Sequence, residues 1–148
     1  MSAAANDGFS AEERAAIKQR AAELKGDARA GRAADKAAAD AATMREKIAG
    51  MPQPDRAMAE RLHEIVGEIA PDLAPKLFYG QPAWTRGGKP VVFFRSGQQD
   101  KERYSTLGFS SLSALDDPIG LWPTSYALAE ITAEGEKLIR ERVTRAAG

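Results

Sequence analysis

The stretch Tyr79-Gly80-Gln81-Pro82-Ala83-Trp84, followed after Thr85-Arg86-Gly87 by Gly88-Lys89-Pro90-Val91-Val92-Phe93-Phe94, decides the fold. It reads as two short strands joined at Arg86-Gly87-Gly88-Lys89, where paired glycines suit a tight hairpin turn. It also opens the aromatic half of the chain. Of five Phe, two Trp and three Tyr, only Phe9 lies outside Phe78–Tyr126. Burial capacity, and with it any ligand site, is therefore expected in that half.

Working outward, Met58, Leu62, Ile65, Val66 and Ile69 recur at helical spacing after Pro54-Asp55. Proline suits a helix start and aspartate complements its positive end, so this is a core helix stopped at Pro71. Strand-like runs then cover Lys76–Tyr79, Ala83–Thr85, Pro90–Arg95, Tyr104–Phe109 and Tyr126–Ala129. Asp116-Asp117-Pro118 and Leu121-Trp122-Pro123 mark loops. Thr132 is expected to cap a last helix with Leu138, Ile139 and Val143 facing inward. Helix, meander, helix predicts an α+β fold, an antiparallel sheet of about five strands with helices packed on one face.

Residues 1–50 obey different physics, and the sequence divides into a 1–50 Ala-rich helical extension and a 51–148 α+β domain. Ser10-Ala11-Glu12-Glu13 matches a capping box, with Phe9 placed to staple onto the first turn. A helix over Ala11–Lys25 carries Ile17, Ala21 and Leu24 on one stripe, and glycines at 26 and 31 predict an interruption. A second helix is expected over Asp35–Ala49, with Met44 and Ile48 one turn apart. Two large apolar residues per helix bury only about 2–3 kcal/mol each. The segment reads as a solvated extension, with light docking on the core or pairing of two chains into a homodimer as the alternatives.

Composition closes several classes of function. The formal net charge is zero, so no global field recruits nucleic acid or anionic membrane. No apolar run approaches the roughly 18–20 residues that span a bilayer. The start, Met1-Ser2-Ala3-Ala4-Ala5, lacks the pattern of a secretory leader, so a cytoplasmic protein is expected. Cysteine is absent and His63 is the only histidine. That removes thiol nucleophiles, Cys/His zinc sites and most triads, leaving Asp, Glu, Tyr or Lys for acid–base work.

Three groups of residues are candidates. Glu60, Glu64 and Glu68 stand four apart on one helix, a strip able to hold iron weakly through hard oxygen ligands. The plainer reading is a solvated face, with Arg56 and Arg61 within reach of the acids. His63, at the border of the apolar stripe, reads as a histidine bonded to a neighbour. Finally, Tyr79, Gln81, Trp84, Phe94, Tyr104, Thr106 and Trp122 are taken as a candidate cleft. Six basic residues between Lys76 and Tyr104, against Asp100 and Glu102, would suit a small anionic or aromatic ligand there. Alternatively these aromatics fill the core and the bases solvate strand edges. Aromatics beside Lys and Arg also suit single-stranded nucleic acid, but no RNA-binding signature accompanies them.

The chain resembles the YdhG-like family, a domain of unknown function with some members described as frataxin-like bacterial iron chaperones. The resemblance covers roughly 51–146. It rests on Met51-Pro52, Ala70-Pro71-Asp72, the two hairpin segments quoted above and Leu107-Gly108-Phe109. It implies a compact α+β domain with a frataxin-like antiparallel sheet. Many members carry a histidine where this chain has Thr106, and a methionine where it has Gln81. The function expected is a non-enzymatic small-ligand or metal-ion carrier, iron-chaperone-like by resemblance. The alternatives are a small enzyme using Tyr or carboxylate acid–base chemistry, or a helical protein-interaction module.

Overall fold

The computed structural model describes residues 9–148. In chain order these form α1 (Ala11–Ala49), α2 (Asp55–Ile69), β1 (Ala74–Phe78), β2 (Gln81–Arg86), β3 (Lys89–Arg95), β4 (Ser105–Phe109), β5 (Ser125–Leu128) and α3 (Ala133–Ala147). The five strands make one sheet whose spatial order follows the chain, every pair antiparallel. The α+β expectation holds.

Turn chemistry sets the register. Gly87 and Gly88 adopt φ of +61° and +79° between the paired Arg86 and Lys89, the double left-handed geometry of a tight hairpin. The β1–β2 turn has the same pattern, but there the first position is Tyr79 at φ +51°, followed by Gly80 at +76°. An aromatic residue in that region carries backbone strain of about 1 kcal/mol or more. The β2–β3 register shifts at Trp84/Thr85, which leaves Val91 as an extra residue between Pro90 and Val92. The carbonyl of this bulge accepts from the Ser110 amide (3.1 Å) and from Ser113 Oγ (3.0 Å). It thereby ties the segment after β4 to the sheet.

Alternation along the strands assigns the two faces. Trp84, Val92, Phe94, Leu107, Phe109 and Leu128 enter the core. They meet Leu62, Ile65 and Val66 of α2 and Ile139, Val143 and Ala146 of α3. Thr132 Oγ1 accepts from the Gly135 amide at 3.0 Å, capping α3 as expected. Leu138 departs from expectation: it is 40% exposed. The 139, 143, 146 spacing fixes the buried stripe, and 138 is turned about 100° away from it.

Two expectations about the first fifty residues also change. Gly26 and Gly31 do not break the helix, which runs unbroken over Ala11–Ala49. Each glycine costs about 1 kcal/mol relative to alanine, and the surrounding Ala, Glu, Lys and Arg residues are strong helix formers. Ser10 Oγ accepts from the Glu13 amide at 3.1 Å, the serine half of the expected capping box, while Phe9 is 50% exposed. The chain divides into two units, one ending at Lys36 and the other running Ala37–Gly148. In the first, every described residue is exposed. The second begins earlier than residue 51 because Met44 and Ile48, both buried, belong to its core.

Candidate ligand groove

The sheet has a helix-covered face and an open one. On the open face Phe78 pairs with Gln81, and Phe93 lies beside Ala83 on one strand and Gly108 on the other. A groove of about 700 Å³ runs along this face. Phe78, Pro90, Phe93 and Leu112 supply its apolar lining, Tyr79, Gln81 and Arg95 one end, and Lys89 with Ser110 and Ser111 the other. That volume falls within the range of small-molecule sites.

Several lining side chains stay in water at the expense of the hydrophobic effect. Phe78 is 43% exposed, Leu112 47% and Tyr79 91%. Phe78 and Tyr79 meet edge to face, with ring centroids 4.6 Å apart. A contiguous apolar surface left open beside a strained turn residue is the signature of a binding site. The segment Ser110–Leu112 is held in place rather than loose. Ser110 Oγ donates to the Pro90 carbonyl and accepts from the Leu112 amide, which supplements the Val91 anchor.

Charge is distributed unevenly along the groove. Its lining contains Lys89 and Arg95 and no acidic residue. Arg95 is engaged: Asp100 accepts from its Nε and Glu102 stands 4.0 Å from Nη2. Hydrogen bonding to Asp100 raises the Arg95 pKa further. Among the described residues Lys89 makes no ion pair.

The seven residues expected to share a cleft are distributed over four places. Tyr79 and Gln81 line the groove. Trp84 and Phe94, 1% and 0% exposed, are instead core residues on the opposite face. Tyr104 and Thr106 line a separate hollow of about 110 Å³ with Gly97 and Glu102. Trp122 borders another hollow, beside Phe109 and Asp116. Sequence reasoning counted Lys89 and Arg95 among the basic residues of the cleft but missed Phe78, Phe93 and Leu112 as site residues. The available signal was the period of two: with Trp84 and Phe94 inside, Gln81 and Phe93 must point the other way.

Two of the three glutamates in the strip are paired with arginines. Glu64 receives Arg61 at 2.7 Å, and Glu68 receives Arg140 at 3.2 Å. Both guanidinium groups also reach Glu136, at 2.6 and 3.4 Å, which links α2 to α3. The hydrogen bond from Arg61, then that from Arg140, holds the Glu136 carboxyl below the usual range. Glu60 is exposed. Among the described residues no three His, Asp or Glu side chains come together so as to hold a metal ion. Glu68 and Glu136 thus join α2 to α3 through Arg140 and Arg61, Glu64 pairs within α2, and Glu60 makes no ion pair among the described residues.

His63 behaves as the border histidine expected from its helix position. The Trp84 Nε1–H donates to His63 Nδ1 at 3.3 Å. Accepting there requires the neutral imidazole with its proton on Nε2. Burial, helped by Arg45 and opposed by Glu64, lowers its pKa.

Comparison with family models, curated proteins and solved structures finds no match to this chain. Among the described residues no helix is long and apolar enough to cross a membrane.

Proposed function

We propose that residues 37–148 form a non-enzymatic binding domain that holds a small molecule with an apolar body in the groove on the open sheet face. The observation that carries this reading is the exposure of Phe78, Tyr79 and Leu112 around the partly buried Phe93. Those side chains lie in water while the core beneath them is densely filled. A carrier role and a cytoplasmic setting belong to the same proposal, as does kinship with YdhG-like domains, whose expected ligand-carrying function agrees with it. An enzyme is the weaker alternative. The groove lining offers no carboxylate or imidazole, and Tyr79 and Lys89 stand at opposite ends of it.

Nile red, a neutral apolar dye, tests the reading. Wild-type protein is expected to give a saturable fluorescence rise at one dye per chain. The double variant Phe78→Ser, Leu112→Glu abolishes that rise while keeping the wild-type unfolding midpoint within a few degrees, as surface changes do. No rise with wild type, or an equal rise with the variant, overturns it.

A further inference from the structure

We infer that the ligand is an elongated amphiphile bearing one carboxylate, its head paired with Lys89 and its apolar body laid along Phe93 toward Tyr79. This rests on the groove reading above and names the class of molecule that the groove takes. The first reason is shape. The groove follows β3 from Lys89 to Arg95, seven residues. At about 3.3 Å per residue that is roughly 20 Å, too long for a compact metabolite to fill and well suited to a chain.

The second reason is the sequence of chemistry along that length. Pro90, Phe93 and Phe78 give an apolar middle. Both ends carry a cation, but the two ends are not equivalent. Arg95 is already neutralised by Asp100 and Glu102, whereas Lys89 makes no ion pair among the described residues. An anionic head therefore gains attraction at the Lys89 end and little at the other. With no net charge on the chain, this local cation, rather than a global field, selects the sign.

The third reason fixes the charge at one. Beside Lys89 the groove offers only the Ser110 and Ser111 hydroxyls and no second free cation. A phosphate dianion would leave a charge unpaired against the apolar floor, while a carboxylate is matched by a single ammonium and a hydroxyl donor. Ser110 is committed to the Pro90 carbonyl, which leaves the exposed Ser111 to donate.

The test titrates decanoate and decanol, each kept below its aggregation threshold, into the full-length protein by calorimetry and by displacement of Nile red. Wild type is expected to bind decanoate. Lys89→Met weakens it about three- to five-fold, the range an exposed ion pair supplies, and Lys89→Arg restores it. Decanol binds both variants alike, and only decanoate weakens as salt is raised. Equal decanoate affinity in wild type and Lys89→Met overturns the head-group assignment. Displacement by decanol but not by decanoate overturns the ligand class and leaves the groove reading standing. Failure of Nile red itself to bind removes both. Lys89 is exposed at the first position of β3, next to the Gly87-Gly88 turn, so its variants keep the fold.

Discussion

The ring of Phe93 occupies the space where a β-carbon on Gly108 would stand: its Cζ lies 2.1 Å from that position. The two residues face each other across β3 and β4, so the missing side chain on one strand seats the aromatic of the next. Gly108 thereby sets how deep the groove is.

Gly108→Ala is expected to lift the ring into the groove. Stability falls by about 1–3 kcal/mol, the usual cost of overpacking, and Nile red binding drops with it. The double variant Phe93→Ala, Gly108→Ala recovers part of the stability relative to Gly108→Ala alone, because the clash is gone. Urea denaturation of these two variants and of Phe93→Ala checks both statements; strict additivity would contradict the contact.

The partial burial of His63, whose Nδ1 accepts from the Trp84 indole, makes stability sensitive to its ionisation. The folded-state pKa of His63 is lowered, so as pH falls below its ordinary value of about 6.5 the unfolded chain takes up a proton first. Stability is therefore highest above pH 7 and declines toward pH 5.5. His63→Gln flattens this decline. His63→Leu also flattens it but costs about 1–3 kcal/mol, since the indole N–H of a 1% exposed Trp84 loses its acceptor. Denaturant midpoints measured from pH 7.5 to 5.5 decide the matter, and an unchanged slope in His63→Gln would count against it.

Asp55 is 3% exposed at the start of α2, and its Oδ2 accepts from Ser96 Oγ and from the Gln98 amide, the latter at 3.1 Å. It fastens the turn after β3 to a helix forty residues earlier in the chain. Asp55→Ala is expected to cost about 1–3 kcal/mol by orphaning both donors. Asp55→Asn keeps one acceptor and costs less. Amide hydrogen exchange at Gln98 should accelerate in both variants, more in the alanine.

Removing residues 1–36 is expected to leave the unfolding midpoint and Nile red binding of 37–148 unchanged. Removing residues 1–50 takes Met44 and Ile48 out of the core, at about 2–5 kcal/mol each. Thermal melts of the two truncations separate them. Light scattering on the shorter truncation also tests pairing through the N-terminal helix: loss of a dimer on removing 1–36 would establish it.

What could be read from sequence follows the strength of each local signal. The α2 stripe and the Gly87-Gly88 turn are strong, because helical period and paired glycines admit few alternatives. The Val91-Val92-Phe93-Phe94 run is weak for the opposite reason. Four successive apolar residues contain no alternation, so their faces are set by partners: the bulge at Val91 and the absence of a side chain at Gly108. That is why Phe94 was expected in the cleft and Phe93 was not. Met44 and Ile48 read as a pair one turn apart, and docking on the core is one of the readings open to their segment, but an Ala-rich surround does not select it. The partnering of Glu68 by Arg140 spans 72 positions and has no local signature at all.

Because the strands lie in space in the order in which they occur along the chain, each closes onto its predecessor across a loop of modest length. The entropy lost in closing such loops is small, and the sheet can grow hairpin by hairpin without waiting for distant segments to meet. A domain wired this way should reach its native state faster than a Greek-key sheet of equal size. Ile139 and Val143 of α3, which follows the last strand, then complete the interior.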